Sequence, residues 1–361
     1  MNRALTNILE FISPASVVRS SVPPMDAGLR ANDLLDDATT LLSDGVFEPD
    51  DVVVLPDGRI CFSSGNGVWC REGESARLLV DLGAPVSALV LMGDVIIAAV
   101  EGRGLIQVGV DGSTVEYCID ELVSSCVTDI AVRAPGDIMV SVGSRQTSTS
   151  GWARALLDGD RTGALVALDA RGATSGAEGL AWPSGLAFQE DGSLLVSLSF
   201  DYRIERRPPS PSQQSPSVLM RNLPFYPGRI RTGSEGWWVA APFVRNRATE
   251  LILDEPALCR ELATDVAEGE WPVPRLRQEN LYREPMQLGQ LRVLGVLKSW
   301  APARSYGLLF LLGWDGRVQR SYHSRVGGNR HGITGVVELD GRLVVAARGA
   351  RNLLELGEQQ L

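Results

Sequence analysis

One pattern recurs six times along the 361-residue chain: an apolar stretch, a tight turn built on Asp-Gly or a relative, and a second apolar stretch ending in small residues. The copies are "DVVVLPDGRICFSS" (51–64), "VSALVLMGDVIIAAV" (86–100), "VTDIAVRAPGDIMVSV" (127–142), "SGLAFQEDGSLLVSL" (184–198), "GRIRTGSEGWWVAA" (228–241) and "GITGVVELDGRLVVAA" (332–347). Asp-Gly supplies the positive φ angles that a two-residue hairpin turn needs. β-Branched flanks suit the pleated strands on either side. Six hairpins at broadly regular spacing predict six sheets set radially. Further strand pairs lie between copies, as in "GVWCREGESARLLVDL", "GLIQVGVDGSTVEYCI" and "GALVALDARGATSGA". Each unit therefore holds about four strands, the blade of a propeller, and the predicted fold is all-β, a six-bladed β-propeller.

The sixth copy is followed by one clear strand, "NLLEL" (352–356), which leaves its blade short. "ATTLLSDG" (38–45) can supply the missing outer strand and so close the ring without a bare sheet edge. The expected organisation is an N-terminal extension over 1–37 and a propeller over 38–361. Two segments break the rhythm. "RRPPSPSQQSPSV" (206–218) reads as an exposed loop in the fourth blade. Residues 244–305 form an insertion in the fifth blade, with one helix expected over 248–268 before "EWPVPRL" stops it. Such an insertion either roofs the central channel or decorates the surface.

A net charge of -10 repels phosphate backbones, so nucleic acid is not expected as a partner. The richest apolar run, "ALVLMGDVIIAAV", is split by Gly93-Asp94 and reads as a hairpin rather than a membrane span. The N-terminal stretch lacks an uninterrupted apolar core, because Asn7 and Glu10 break it. The five scattered cysteines, Cys61, Cys70, Cys118, Cys126 and Cys259, are expected to be reduced structural thiols. Together these predict a cytoplasmic protein that binds neither nucleic acid nor membrane.

Several blade motifs are family-like. "FEPDDVVVLPDGRICFSSG", "SGWARALLDGDRTGALVALD", "WPSGLAFQEDGSLLVSLSFDYRIER", "NLPFYPGRIRTGSEGWWVA" and "RSYGLLFLLGWDGRV" resemble stretches of the strictosidine synthase-like branch of the superfamily that also holds gluconolactonases and paraoxonases. The resemblance covers roughly residues 38–356 and implies a binding site where the inner strands open onto the central channel. It implies, in metal-dependent members, a calcium ion held by an acid from the first blade and Asn or Asp from the third, fourth and fifth. That ion would polarise a lactone or ester carbonyl.

Carried over residue by residue, the ligand set is largely replaced. Asp50, with Asp51 beside it, falls on the first-blade acid. Thr128 stands on the third-blade asparagine, with Asp129 next to it, and Ser184 stands on the fourth. In the fifth blade "PGRI" replaces the family's "PDNI", putting Arg229 on the asparagine position. The sixth-blade glutamate of strictosidine synthase corresponds to Thr334, and Glu338 further along that strand reads as structural. The usual calcium site is therefore not expected, and no other cofactor is.

What remains is a metal-free set. Arg229 either anchors a substrate carboxylate or oxyanion, or neutralises the first-blade acids. Asp50 or Asp51 is the candidate acid/base partner. His331, just before the sixth inner strand, is a candidate proton shuttle or a loop histidine; His323 reads as structural. Thr128, Ser184 and Thr334 are placed to touch substrate, as are Tyr226 at the channel mouth and Trp300 and Tyr306 beside the insertion. Trp237 and Trp238 read as blade packing. The expected function is an enzyme acting on a small organic molecule by lactone or ester hydrolysis, or by cyclisation or condensation. The alternatives are a non-catalytic binding propeller and a calcium lactonase with ligands moved to Asp50, Asp51 and Asp129.

Overall fold

The computed structural model describes Met25 and residues 27–43, 45–209, 215–278 and 304–357, together with the backbone of a short strand pair at Arg292–Val293 and Val296–Leu297. Among these residues lie six four-stranded antiparallel sheets, which are the six predicted blades.

The first blade runs Val52–Val54, Ile60–Ser64, Gly67–Glu72 and Ser75–Asp81. The second runs Val86–Met92, Val95–Val100, Gly104–Val108 and Thr114–Cys118. The third holds Val127–Ala134, Asp137–Val142, Gly163–Asp169 and Gly172–Leu180, and the fourth Pro183–Phe188, Leu194–Leu198, Arg203–Arg207 and Ser217–Met220. In each, the repeat hairpin forms the two innermost strands and the sheet grows outward in chain order.

The sixth blade adds Asn352–Leu356 to Ile333–Leu339 and Arg342–Ala347, and its fourth strand is Thr39–Thr40, paired antiparallel as Thr39 to Glu355 and Thr40 to Leu354. The ring is thus closed by chain from ahead of the first blade, as predicted. Residues before that strand pack on the fifth blade: Leu35 is buried, and Asn32 donates to Ser321 O at 2.8 Å and accepts from His323 N at 3.0 Å.

The fifth blade is Ile230–Thr232, Gly236–Ala241, Gly307–Gly313 and Val318–Ser324, so the insertion interrupts it between its second and third strands. The single helix expected over 248–268 is two: Arg247–Leu253, capped by the Asn246 side chain, and Pro256–Asp265, which carries its proline in the first turn. Pro256 has no N–H for the ladder and would clash with the preceding turn, so a continuous helix cannot pass it. The Pro/Ser loop of the fourth blade falls partly outside the described residues, at 210–214.

Apolar residues pack between blades. Leu89, Ile96, Ala98 and Ile106 of the second blade meet Cys61, Val68 and Cys70 of the first, all buried. Burying each such large side chain stabilises by about 1.5–3 kcal/mol. The expectation of five reduced thiols is corrected here, because Cys61 and Cys70 form a disulfide. The two residues lie directly opposite on neighbouring antiparallel strands, so their side chains emerge on the same face at bonding range. Cys118, Cys126 and Cys259 are unbridged. No helix among the described residues is long and apolar enough to cross a membrane.

Candidate active site at the propeller axis

The inner strands do not enter the channel as regular β-structure. Pairing slips between Val86 and Ala88, Val127 and Asp129, Pro183 and Gly185, and Ile333 and Gly335. Each slip leaves the second residue of the inner strand unpaired, and a bulge of this kind re-aims that side chain. The result is a ring with one residue from every blade: Asp50, Ser87, Thr128, Ser184, Arg229 and Thr334 all line a central cavity of about 370 Å³. Sequence reasoning found five of the six. Ser87 was missed, although "VSA", "VTD", "PSG" and "ITG" align on it.

Close approach at the ring requires two glycines. A Cβ on Gly185 would lie 2.2 Å from Gly228 O, and one on Gly335 would lie 2.9 Å from Asp51 Oδ1.

Arg229 lies across the cavity floor. Its Nη1 donates to Asp50 O at 2.9 Å and Thr334 O at 2.8 Å, and Nη2 donates to Asp50 Oδ2 at 2.8 Å and to Ser87 O. Nε faces Asp51 Oδ2 at 3.2 Å. The side chain therefore ties the first, second and sixth blades to the fifth. Beneath it, Arg231 donates to both oxygens of Asp129 at 2.9 Å each and to Asp51 Oδ2 at 2.9 Å. Asp51 Oδ2 also accepts from Leu89 N at 2.9 Å, and Asp129 Oδ2 from Leu186 N at 2.8 Å. Both carboxylates are fully buried. Two arginines and three aspartates thus form one ion network down the axis, and every blade contributes to it directly or through a carbonyl or N–H. Arg231 was not singled out in the sequence. Its signal was the two-residue period of a strand, which puts it on the same side as Arg229.

Burial acts to lower the Arg229 pKa, but Asp51, Asp50 and Asp129 more than reverse that and raise it. Burial likewise pushes the Asp50 carboxyl up, while Arg229 and Arg348 pull it below the usual carboxylate range. Arg348 Nη1 holds Asp50 Oδ1 at 3.1 Å. Glu48 follows the same pattern: Arg277 at 2.8 Å, with Arg348 and Arg351, overcomes burial and holds its pKa low.

A calcium ion would need six to eight oxygen ligands around a site open to them. Asp50, Asp51 and Asp129 offer carboxylates, but Arg229 sits among all three, at 2.8, 3.2 and 3.9 Å. These residues do not fit the ion. No group of three His, Cys, Asp or Glu side chains among the described residues is placed to hold a metal.

The other predicted residues divide. Thr128 and Thr334 line the cavity but spend their hydroxyls on the frame: Thr128 Oγ1 donates to Pro183 O at 2.6 Å, and Thr334 Oγ1 lies 3.3 Å from Pro49 O and from Ala346 O. Asp51 lies under the floor, out of reach of solvent. Tyr226, expected at the channel mouth, is instead fully buried behind Trp152, its hydroxyl donating to Glu250 at 3.2 Å. Its strand, Phe225–Tyr226, pairs with Phe243–Val244 rather than entering the fifth blade, which turns the ring inward.

His331 does not line the cavity. Its Nε2 lies 3.0 Å from Arg325 O, which can only accept, so Nδ1 accepts from Ser305 Oγ at 2.8 Å. Burial lowers its pKa and keeps it neutral. Tyr306 bonds His323 Nδ1 at 3.0 Å and faces a different depression, lined by Asp33, Asp36 and Arg325. Trp300 lies outside the described residues. Glu338 accepts from Trp238 Nε1 at 2.9 Å and is structural, as expected.

The insertion supplies cavity wall at Glu268, Pro274, Arg275, Leu276 and Arg277. An aromatic wall had not been foreseen. Trp152, from the helix Trp152–Asp158, stacks on Phe243 with ring centroids 3.9 Å apart, and Trp182 stands beside it through Phe200.

No protein-family model and no curated protein matches the chain. Solved structures do. A regucalcin from Agrobacterium tumefaciens, described as a calcium-binding protein, superposes with a TM-score of 0.55 at 13% identity, over 89% of this chain and 93% of that one. A gluconolactonase from Xanthomonas campestris gives 0.53 at 14% identity, over 94% and 99%. A streptogramin B lyase gives 0.50 at 12%, over 88% and 96%. At such identities the likeness is one of fold: this chain shares the six-bladed propeller of gluconolactonase- and regucalcin-like proteins.

Proposed function

We propose that the protein is a metal-independent enzyme of the lactonase or esterase type, acting on a small organic molecule in the axial cavity. The observation that carries this reading is the pairing of ionised carboxylates with guanidiniums at the cavity surface, at Asp50–Arg348 and Glu48–Arg277. The substrate carbonyl would lie toward Arg348, whose side chain is 37% exposed, so that charge developing on its oxygen meets a fixed cation. Asp50 or Glu48 would take the proton of the attacking water. Ser87 and Ser184, whose hydroxyls bond no other described residue, would orient the substrate. Arg229 acts as a structural cation in this scheme, because all its terminal N–H groups are engaged. The resemblance to the strictosidine synthase-like branch keeps a cyclisation or condensation within the same site chemistry.

A second reading, a binding propeller without turnover, is favoured by one observation: both histidines lie away from the cavity. Hydrolysis of a panel of lactones and aryl esters, assayed with and without chelator, tests the first. Turnover that survives chelation and falls at least tenfold in Arg348→Gln supports it. Absence of turnover across the panel leaves the binding reading in its place.

A further inference from the structure

Charge at the axial cavity comes in pairs. Arg348 holds Asp50 at 3.1 Å, Arg277 holds Glu48 at 2.8 Å, and Arg275 stands 3.7 Å from Glu268. Arg229 lies within 4 Å of Asp50, Asp51 and Asp129, and Arg231 closes that set from below. Arg304, the remaining arginine of the lining, is buried and donates to Gly269 O at 2.8 Å. Each carboxylate of the lining, on Glu48, Asp50 and Glu268, therefore has its guanidinium in place. A charged ligand entering here would lose its hydration. It would also have to take an arginine from Asp50 or Glu48, or an acid from Arg348 or Arg277, and leave the displaced partner uncompensated.

Two other features of the lining are not matched within the protein. The hydroxyls of Ser87 and Ser184 face the cavity and bond no other described residue, although Ser87 is only 8% exposed. A buried hydroxyl without a partner favours a ligand that supplies one. The second feature is an apolar wall from the third to fifth blades, made of Trp152, Trp182, Pro242 and Phe243. It is held rigid from behind: Trp152 stacks on Phe243 and meets Tyr226 and Phe200 edge-on, at 5.1 and 5.6 Å. The ion pairs come from the first and sixth blades and the insertion, on another side of the ring. A flat apolar body buries well against such a wall, whereas sugar hydroxyls would be stripped of water there.

We infer that the cavity selects an uncharged molecule with a flat apolar body. The body lies against Trp152, Trp182 and Phe243, and a polar atom bonds the hydroxyl of Ser87 or Ser184. This deepens the proposed function by naming its substrate class, and rests on the same site. It excludes carboxylates and amines, which the paired wall rejects, and polyhydroxylated sugars, which lack the apolar body.

Binding, read by tryptophan fluorescence and calorimetry on the full chain, tests it independently of turnover. The probes are naphthalene-2-carboxamide, 2-naphthoate, 2-naphthylmethylammonium, naphthalene and methyl glucoside. The expected result is saturable binding of the amide at least tenfold tighter than of either ion, with no binding of the glucoside. Glu48→Gln frees Arg277 from its acid and should strengthen naphthoate at least threefold without changing the amide. Trp182→Ala, checked for native circular dichroism, should weaken the amide at least fivefold. Ser87→Ala/Ser184→Ala removes two small hydroxyls and should weaken the amide but not naphthalene. Binding of either ion as tight as the amide, no saturable binding of the amide, or amide binding indifferent to both the Trp182 and the serine changes would each overturn the inference. Selective amide binding without turnover of any ester or lactone sinks the enzymatic reading and leaves the inference standing. Turnover indifferent to substrate charge does the reverse.

Discussion

Arg231 of the fifth blade holds Asp129 of the third through two N–H···O bonds of 2.9 Å, one to each carboxylate oxygen, and reaches Asp51 of the first blade at the same distance. Removing this cation leaves two buried carboxylates with one partner fewer each. Breaking one member of a buried ion network costs on the order of 3–5 kcal/mol. Arg231→Met should therefore lower the urea midpoint strongly with little change in slope. A loss under 1 kcal/mol would show that the axis does not depend on this residue.

Close packing at the cavity floor makes a second prediction. In Gly185→Ala the new methyl would meet Gly228 O at 2.2 Å and Arg229 Cα at 2.8 Å, both backbone, so neither can swing aside. Overpacking of this kind costs about 1–3 kcal/mol, and here it displaces Arg229 as well. Calorimetric melting should show a clear drop in Tm; an unchanged Tm would contradict the geometry.

Acid should destabilise the fold through its histidines. Burial lowers the His323 pKa to about 4, and lowers His331 too. Unfolded histidine titrates near ~6.5, so below that pH the unfolded chain binds protons that the folded chain refuses. Stability is thus complete above about pH 6.5 and falls as pH drops toward 4. Asp50, with its pKa depressed, adds a loss only once the pH falls below the ordinary carboxylate range near ~3.9. Urea unfolding at pH 7, 6 and 5 should show the decline, and His323→Gln should flatten it. A flat wild-type profile would refute the burial of neutral imidazoles.

The disulfide gives a direct count. Under denaturing, non-reducing conditions three cysteines, Cys118, Cys126 and Cys259, should label with a thiol reagent, and all five after reduction. Cross-linking across a loop of this size contributes about 2–3 kcal/mol in the chain-entropy account. Cys61→Ser/Cys70→Ser should cost at least that. Five reactive thiols before reduction would mean the pair is not bridged.

The architecture was legible because its signal is repetitive: six Asp-Gly-type hairpins fix the blades, and the short sixth blade called for the strand now seen at Thr39–Thr40. The cavity lining was legible where the family resemblance placed residues, as at Asp50, Thr128, Ser184, Arg229 and Thr334; the blade repeat aligned Ser87 with them, but the resemblance did not point to it. Legibility failed where side-chain direction depends on a departure from regular pairing. The bulge that aims Ser87 inward carries no special residue, and Tyr226 and His331 stand near strand openings yet point behind them. Arg231 was visible by the strand period, but its partners come from blades 1 and 3, which no local pattern connects. The same holds for Cys61 and Cys70, whose opposition depends on register rather than on a motif.

The central claim is that guanidiniums, rather than a divalent cation, neutralise the axial carboxylates. Calorimetric titration of the chelator-washed chain with calcium measures this directly. The account predicts no saturable binding, since Arg229 lies within 4 Å of Asp50, Asp51 and Asp129. Binding of one equivalent of calcium, abolished by Asp50→Asn, would contradict it.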